Sequence, residues 1–195
     1  LGSAEKELII VSAYFIPTPK LEQFIGTLKQ RDVAVRVLTN SLETNNHTTA
    51  HSAYQKHRQG MLEQGAQLHE IRPNAKDRSI YMQPPVGERM LGLHAKTLLV
   101  DDDHVFIGST NLDPRSLRIN TEMGLWIESP GLNQALREEL GIDLQLQNAW
   151  RLILNEDKQI VWQSEDSTTT VQPSASFFMR LENWFFGLLP IENDM

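Results

Sequence analysis

His94 and Lys96 are separated by a single residue, Ala95, within the run LGLHAKTLLV at 91–100. On an extended strand a spacing of two sends both side chains to the same side. An imidazole beside a cation suits phosphoryl transfer. The neutral ring can act as nucleophile or base and the protonated ring as acid, while the ammonium stabilises charge on phosphate oxygens without a metal. Asp101 follows His94 by seven residues. A regular strand would turn it away from the histidine; a bend at the acidic turn would bring it inward, and a third reading makes it a structural counter-charge. After the apolar run Val105, Phe106 and Ile107 come Gly108, Ser109 and Asn111. Ser109 and Asn111 supply hydroxyl and amide hydrogen bonds for an oxyanion rim, and Gly108 permits a close backbone approach. Glu122, from the next strand, is placed to orient an imidazole or balance a cation; its plainer reading is a surface carboxylate.

These residues need a frame. ELIIVSAY at 7–14 is short, apolar and β-branched and stops before Pro17 and Pro19, as a buried strand does. Leu21, Phe24, Ile25 and Leu28 recur at helical spacing, and 33–38 (VAVRVL) reads as a second strand. Strand, helix, strand is the outline of an α/β layer. A polar loop over 41–49 leads to a helical segment at 50–64 and a further strand at 66–72. Residues 73–90 mix charges and prolines around a short apolar patch and read as a loop containing a brief strand. From 91 the chain reads as strand, acidic turn, strand, Asn/Asp/Pro loop, strand. A helix follows at 132–146, with Gly141 as an end or interruption. A hairpin turning at 155–158 and an aromatic-rich tail complete the chain.

Composition narrows the classes. With 195 residues, 40% of them hydrophobic and 22% charged, the chain is long enough for one globular domain. Eighteen basic against twenty-five acidic residues give a net charge of -7, which disfavours a broad basic face for nucleic acid. The absence of cysteine excludes disulfides, thiolate metal sites and cysteine nucleophiles together.

The motif His94-x-Lys96-x4-Asp101, followed by Gly108-Ser109-Thr110-Asn111, resembles the signature of the phospholipase D superfamily. The string NLDPRSLRINTEMG at 111–124 is similar to the second catalytic half of bacterial cardiolipin synthases. So are SAYFIP at 12–17, VRVLTNS at 35–41, AHSAYQKHR at 50–58 and LLPIE at 188–192. The resemblance implies an α/β domain over 1–195 with a mixed β-sheet flanked by helices. It also implies a two-step displacement at phosphorus that needs two such motifs. One histidine is phosphorylated; the other protonates the departing alcohol and activates the incoming alcohol or water. His94 maps onto this pair, with similarity to the second half pointing to the acid/base member, and Lys96 and Asn111 map onto phosphate binding. Asp101 belongs to the catalytic motif, yet it and Glu122 fit charge balance and architecture better. Ser109 supports the cradle. No metal or organic cofactor is implied. The substrate would be a phospholipid and the acceptor an alcohol, at the bacterial inner membrane, with the chain peripheral or anchored through a missing region.

His47, His51, His57, His69 and His104 all lack a lysine two positions later, so the chain holds one full motif. A second histidine is expected from a missing N-terminal half, or from a second subunit. His51, Tyr54 and His57 share a helical face and, with Arg115, form a possible head-group pocket; ordinary packing or surface positions are the simpler reading. His47 and His51 lack the glutamate of a zinc-protease motif, so no metal site is expected. Arg115 and Arg118 can meet an anionic head group or neutralise neighbouring acids. Trp184, Phe185, Phe186, Leu188 and Leu189 can face a membrane surface or pack on the core, and the run is too short to span a bilayer. The leading function is a cardiolipin-synthase-type phosphatidyltransferase. A phosphodiester hydrolase and a non-catalytic anionic-lipid-binding half are the alternatives.

Overall fold

The interior of strand β1 (Glu7–Ser12), Leu8 to Val11, is apolar and is covered on both faces. Leu8 and Ile10 point into one core with Ile25, Leu28, Val35, Val37, Met61 and Leu68. Ile9 and Val11 point into the other with Leu38, Leu99 and Val105. The computed structural model describes residues 2–80, 82–85 and 91–189. Helix α1 (Pro19–Gln30) leads to β2 (Ala34–Asn40), and α2 (Thr48–Gln55) and α3 (Arg58–Glu63) lead to β3 (Gln67–Ile71). Strands β1, β2 and β3 are parallel neighbours. Next come β4 (Lys96–Val100), β5 (His104–Gly108), α4 (Pro114–Arg118), β6 (Gly124–Glu128) and α5 (Pro130–Asp143). The chain continues as β7 (Ala149–Leu154), β8 (Ile160–Gln163), β9 (Thr168–Thr169) and α6 (Phe177–Gly187). All nine described strands form one mixed sheet in the order β6-β5-β4-β1-β2-β3-β7-β8-β9. Leu132, Leu136 and Leu140 of α5 cover the second face.

Several sequence expectations shift here. The 50–64 helix breaks at Lys56 and His57, where the N–H groups turn back to Ala53 and Tyr54 and deliver Arg58 into the interior against Glu70. Asp113 and Pro114 in the Asn/Asp/Pro loop start α4 instead: Asp113 accepts the Ser116 N–H at 2.7 Å and proline occupies the first turn. In the 73–90 segment the described residues carry a single-turn 3-10 helix, Arg78–Ile80, and no strand; residues 81 and 86–90 lie outside the described residues. The expected strand at 91–95 is irregular backbone, and β4 begins only at Lys96. Residues 190–192 of the LLPIE match also lie outside the described residues.

Candidate active site

The C-terminal ends of β1 and β2 and the first residue of β4 meet at one end of the sheet. Ser12, the last residue of β1, pairs with Lys96, the first of β4. Its hydroxyl donates to the Tyr14 carbonyl at 2.7 Å and accepts the Leu112 N–H at 3.1 Å, stitching the loop after β5 to the exit of β1. Thr39 Oγ1 donates to the Ser12 carbonyl at 2.8 Å. Asn40, at the end of β2, holds Leu93: its Oδ1 accepts the Leu93 N–H at 2.8 Å and its Nδ2 donates to the Leu93 carbonyl at 2.9 Å. This explains why β4 starts late. The polar groups of Leu93 are already bonded to a side chain and do not join a strand ladder.

His94 therefore sits on the segment before β4 rather than on it, with its ring exposed. It still meets Lys96. Nζ of Lys96 lies 3.1 Å from Nε2 of His94 and donates to the His94 carbonyl at 2.8 Å. An ammonium only donates, so Nε2 is the acceptor and its lone pair is turned toward the cation. Lys96 is 9% exposed. That burial lowers its pKa from the ordinary lysine value, and the charges of Glu122 and Asp113 oppose the shift.

The rim predicted from 108–122 assembles across the β5–β6 pair. Gly108 pairs with Gly124, which sets Ser109 beside Met123 and Glu122. The Ser109 hydroxyl donates to Glu122, and Asn120 Nδ2 donates to the other carboxylate oxygen at 3.2 Å. The Ser109 bond is the main cause holding the Glu122 carboxyl below its usual pKa, with Lys96 acting in the same direction. Asn111 Oδ1 accepts the Tyr14 N–H at 3.4 Å, which leaves its NH2 as the group able to donate to an anion.

Asp101 is at the opposite end of β4, in the turn to β5, with φ of +50°. Its carboxylate accepts the backbone N–H groups of Glu5, Lys6 and Glu7. Burial alone would raise its pKa; these three donors reverse that and hold it below the ordinary value. Of the readings open from the sequence, the structural one matches this placement, and the catalytic assignment of Asp101 is corrected. The head-group pocket changes too. His51 and Tyr54 are buried at 1% and 2% exposure, His51 against Gln172 and Tyr54 in the first core. Their common helical face is the inner face of α2, because the apolar residues beside them must be covered. Arg115 does line a cavity of about 370 Å³, together with Asn111, Tyr14, His47 and Asn120. Sequence reasoning missed Tyr14 and His47, and also Ser12 and Asn40. For Ser12 and Asn40 the available signal was a polar residue closing a mainly apolar strand; Tyr14 and His47 lie in loops and carried no such signal.

The family model described as "Cardiolipin synthase, PLD-like domain" matches residues 1–143. The chain belongs to this family. It is 34% identical over 197 residues to cardiolipin synthase C of Escherichia coli K12, covering 98% of this chain and 41% of that protein. It is 29% identical to cardiolipin synthase B of Salmonella typhi over 82% of this chain and 32% of that one. Thus the chain spans less than half the length of these relatives. Two solved structures share the fold. Nuc, a phospholipase D family member from Salmonella typhimurium, superposes with a TM-score of 0.54 at 20% identity, covering 75% of this chain and 82% of that chain. Phosphatidylserine synthase of Haemophilus influenzae superposes with a TM-score of 0.58 at 20% identity, covering 77% and 34%. The mixed sheet flanked by helices agrees with both.

Proposed function

We propose that this chain supplies one histidine motif of a cardiolipin-synthase-type phosphatidyltransferase. The observation that carries the reading is the meeting of His94 Nε2 and Lys96 Nζ at 3.1 Å, at the sheet end where Ser109, Glu122 and Asn111 gather. Lys96 and the Asn111 amide bind the phosphodiester oxygens, and Glu122 balances the lysine charge. A histidine from another segment of the longer protein, or from a second subunit, attacks phosphorus and forms an N–P bond while the P–O bond to the departing alcohol breaks. His94 protonates that alcohol, then takes the proton of the acceptor hydroxyl as it attacks and the N–P bond breaks. The cavity lined by Tyr14, His47, Arg115 and Asn120 receives the head group.

Two apolar surfaces support the remaining partners. Leu117, Ile119, Met123, Leu125 and Trp126 are exposed along α4 and β6 beside Glu122, where a second half would complete the site. On α6, Phe177, Phe178, Leu181, Trp184 and Phe185, with Leu188 at its C-cap, are exposed at helical spacing, an aromatic stripe suited to a bilayer interface. No described helix is long and apolar enough to cross a membrane. The location we infer is the surface of the bacterial inner membrane.

The test is product analysis of the longer protein with labelled phosphatidylglycerol, with and without added alcohol. Transfer product and an acid-labile phosphohistidine are expected, and His94→Ala should lower turnover by about a hundredfold or more. Water as the sole acceptor would make the protein a hydrolase. Phospholipid binding without either product or phosphohistidine would reduce it to a lipid-binding half.

A further inference from the structure

We propose that Asn40 is the positioning residue of His94. The inference rests on the reading of His94 as a reacting group, but it concerns a residue on another strand that touches no substrate atom. Asn40 is 2% exposed and closes β2. Its carboxamide grips Leu93 through both backbone groups, accepting the N–H at 2.8 Å and donating to the carbonyl at 2.9 Å. The same Nδ2 donates to the Ala13 carbonyl at 3.0 Å, just past β1. A primary amide offers an acceptor and two donors in one plane, and all three functions are used here. Aspartate offers acceptors only and would set a carboxylate oxygen against two carbonyls.

The grip matters because residues 91–95 have no strand partner among the described residues. Leu91 and Leu93 pack on the second core, which holds the segment down without fixing its direction. Asn40 ties it to the exits of the two parallel strands at the centre of the sheet, one peptide before His94. Lys96 then orients the residue from the other side through the His94 carbonyl. The position of the imidazole over phosphorus is thereby set by β2, and the contact with the cation by β4.

The experiment uses the longer protein carrying this chain. Asn40→Asp is expected to lower kcat by about ten- to a hundredfold, the range for a misplacement near 1 Å, with KM for phospholipid changed less than about threefold. In a ¹H–¹³C spectrum the His94 imidazole signal should shift or split while those of His69 and His104 stay in place. A residue acting only on stability would lower the folded fraction and leave kcat per folded molecule and the His94 signal unchanged; that result overturns the proposal. Should Asn40→Asp not fold, Asn40→Ser removes the same reach without a charge and is read by the same two measurements. A wild-type protein with neither turnover nor phosphohistidine would sink the functional reading, while the His94 signal would still decide whether Asn40 places it.

Discussion

A carboxylate whose lone pairs accept three consecutive backbone N–H groups, as Asp101 does from Glu5, Lys6 and Glu7, is committed to holding the segment that enters β1 against the β4–β5 turn. Charge-assisted bonds of this kind are stronger than neutral ones, so Asp101→Asn, which keeps the tolerance for positive φ, should cost about 1–2 kcal/mol. Turnover per folded molecule in the longer protein should hold, in contrast to His94→Ala. The pH dependence has a defined sign. The folded pKa of Asp101 lies below the unfolded value, so its contribution is complete above an unfolded pKa of about 3.9 and disappears as pH falls through the folded value. Urea midpoints of wild type and Asp101→Asn should therefore differ at pH 7 and converge below about pH 4.

At the level of elements, the β5–β6 pair carries Ser109 and Glu122 and needs glycine at its open end. A Cβ on Gly108 would lie 2.6 Å from the Met123 carbonyl oxygen and 2.9 Å from the Gly124 Cα, both backbone atoms that yield only if β6 moves. Gly108→Ala should destabilise by about 1–3 kcal/mol in denaturant titration and loosen the Ser109–Glu122 contact. Gly141, inside α5, is the opposite case: a Cβ there meets nothing within 4 Å among the described residues, and Gly141→Ala should stabilise by about 0.5–1 kcal/mol. The elements around the motif were readable where one residue pattern dictates one structure. The double-sided apolar runs marked β1 and β2, and the polar turn after Leu154 marked the β7–β8 hairpin. The late start of β4 was not readable, because the group competing for Leu93 is a side chain 53 residues away. Asp113 followed by Pro114 did carry the signal for α4, and the loop-forming tendency of the same residues concealed it.

At the scale of the whole chain, the net charge of -7 leaves little general attraction to an anionic bilayer, so the membrane contact proposed for this chain rests on local apolar area. The stripe on α6 provides that area: Phe178 is 77% and Trp184 59% exposed. The other side of the helix is anchored, with Asn183 buried and donating to Gln55 of α2 at 2.6 Å. Replacing Phe178 and Trp184 together with glutamate should reduce co-sedimentation of the chain with phosphatidylglycerol-containing vesicles by about tenfold or more. The melting temperature should change little, since neither ring is in a core. Unchanged sedimentation would remove α6 from the membrane reading.

Residue types and short-range spacing were enough to read the α/β class and to nominate His94, Lys96, Ser109, Asn111 and Glu122 as candidates, and the motif resemblance pointed to the family, because local pattern and the chemistry of each side chain are written along the chain. Long-range packing decided the placement of residues outside that set. It set Asp101 against residues 5–7, turned His51 and Tyr54 inward, opened the cavity at Tyr14 and His47, and bonded Asn40 to the backbone of Leu93. Those outcomes depend on which distant backbone groups compete for one side chain, a balance that no local stretch of sequence contains.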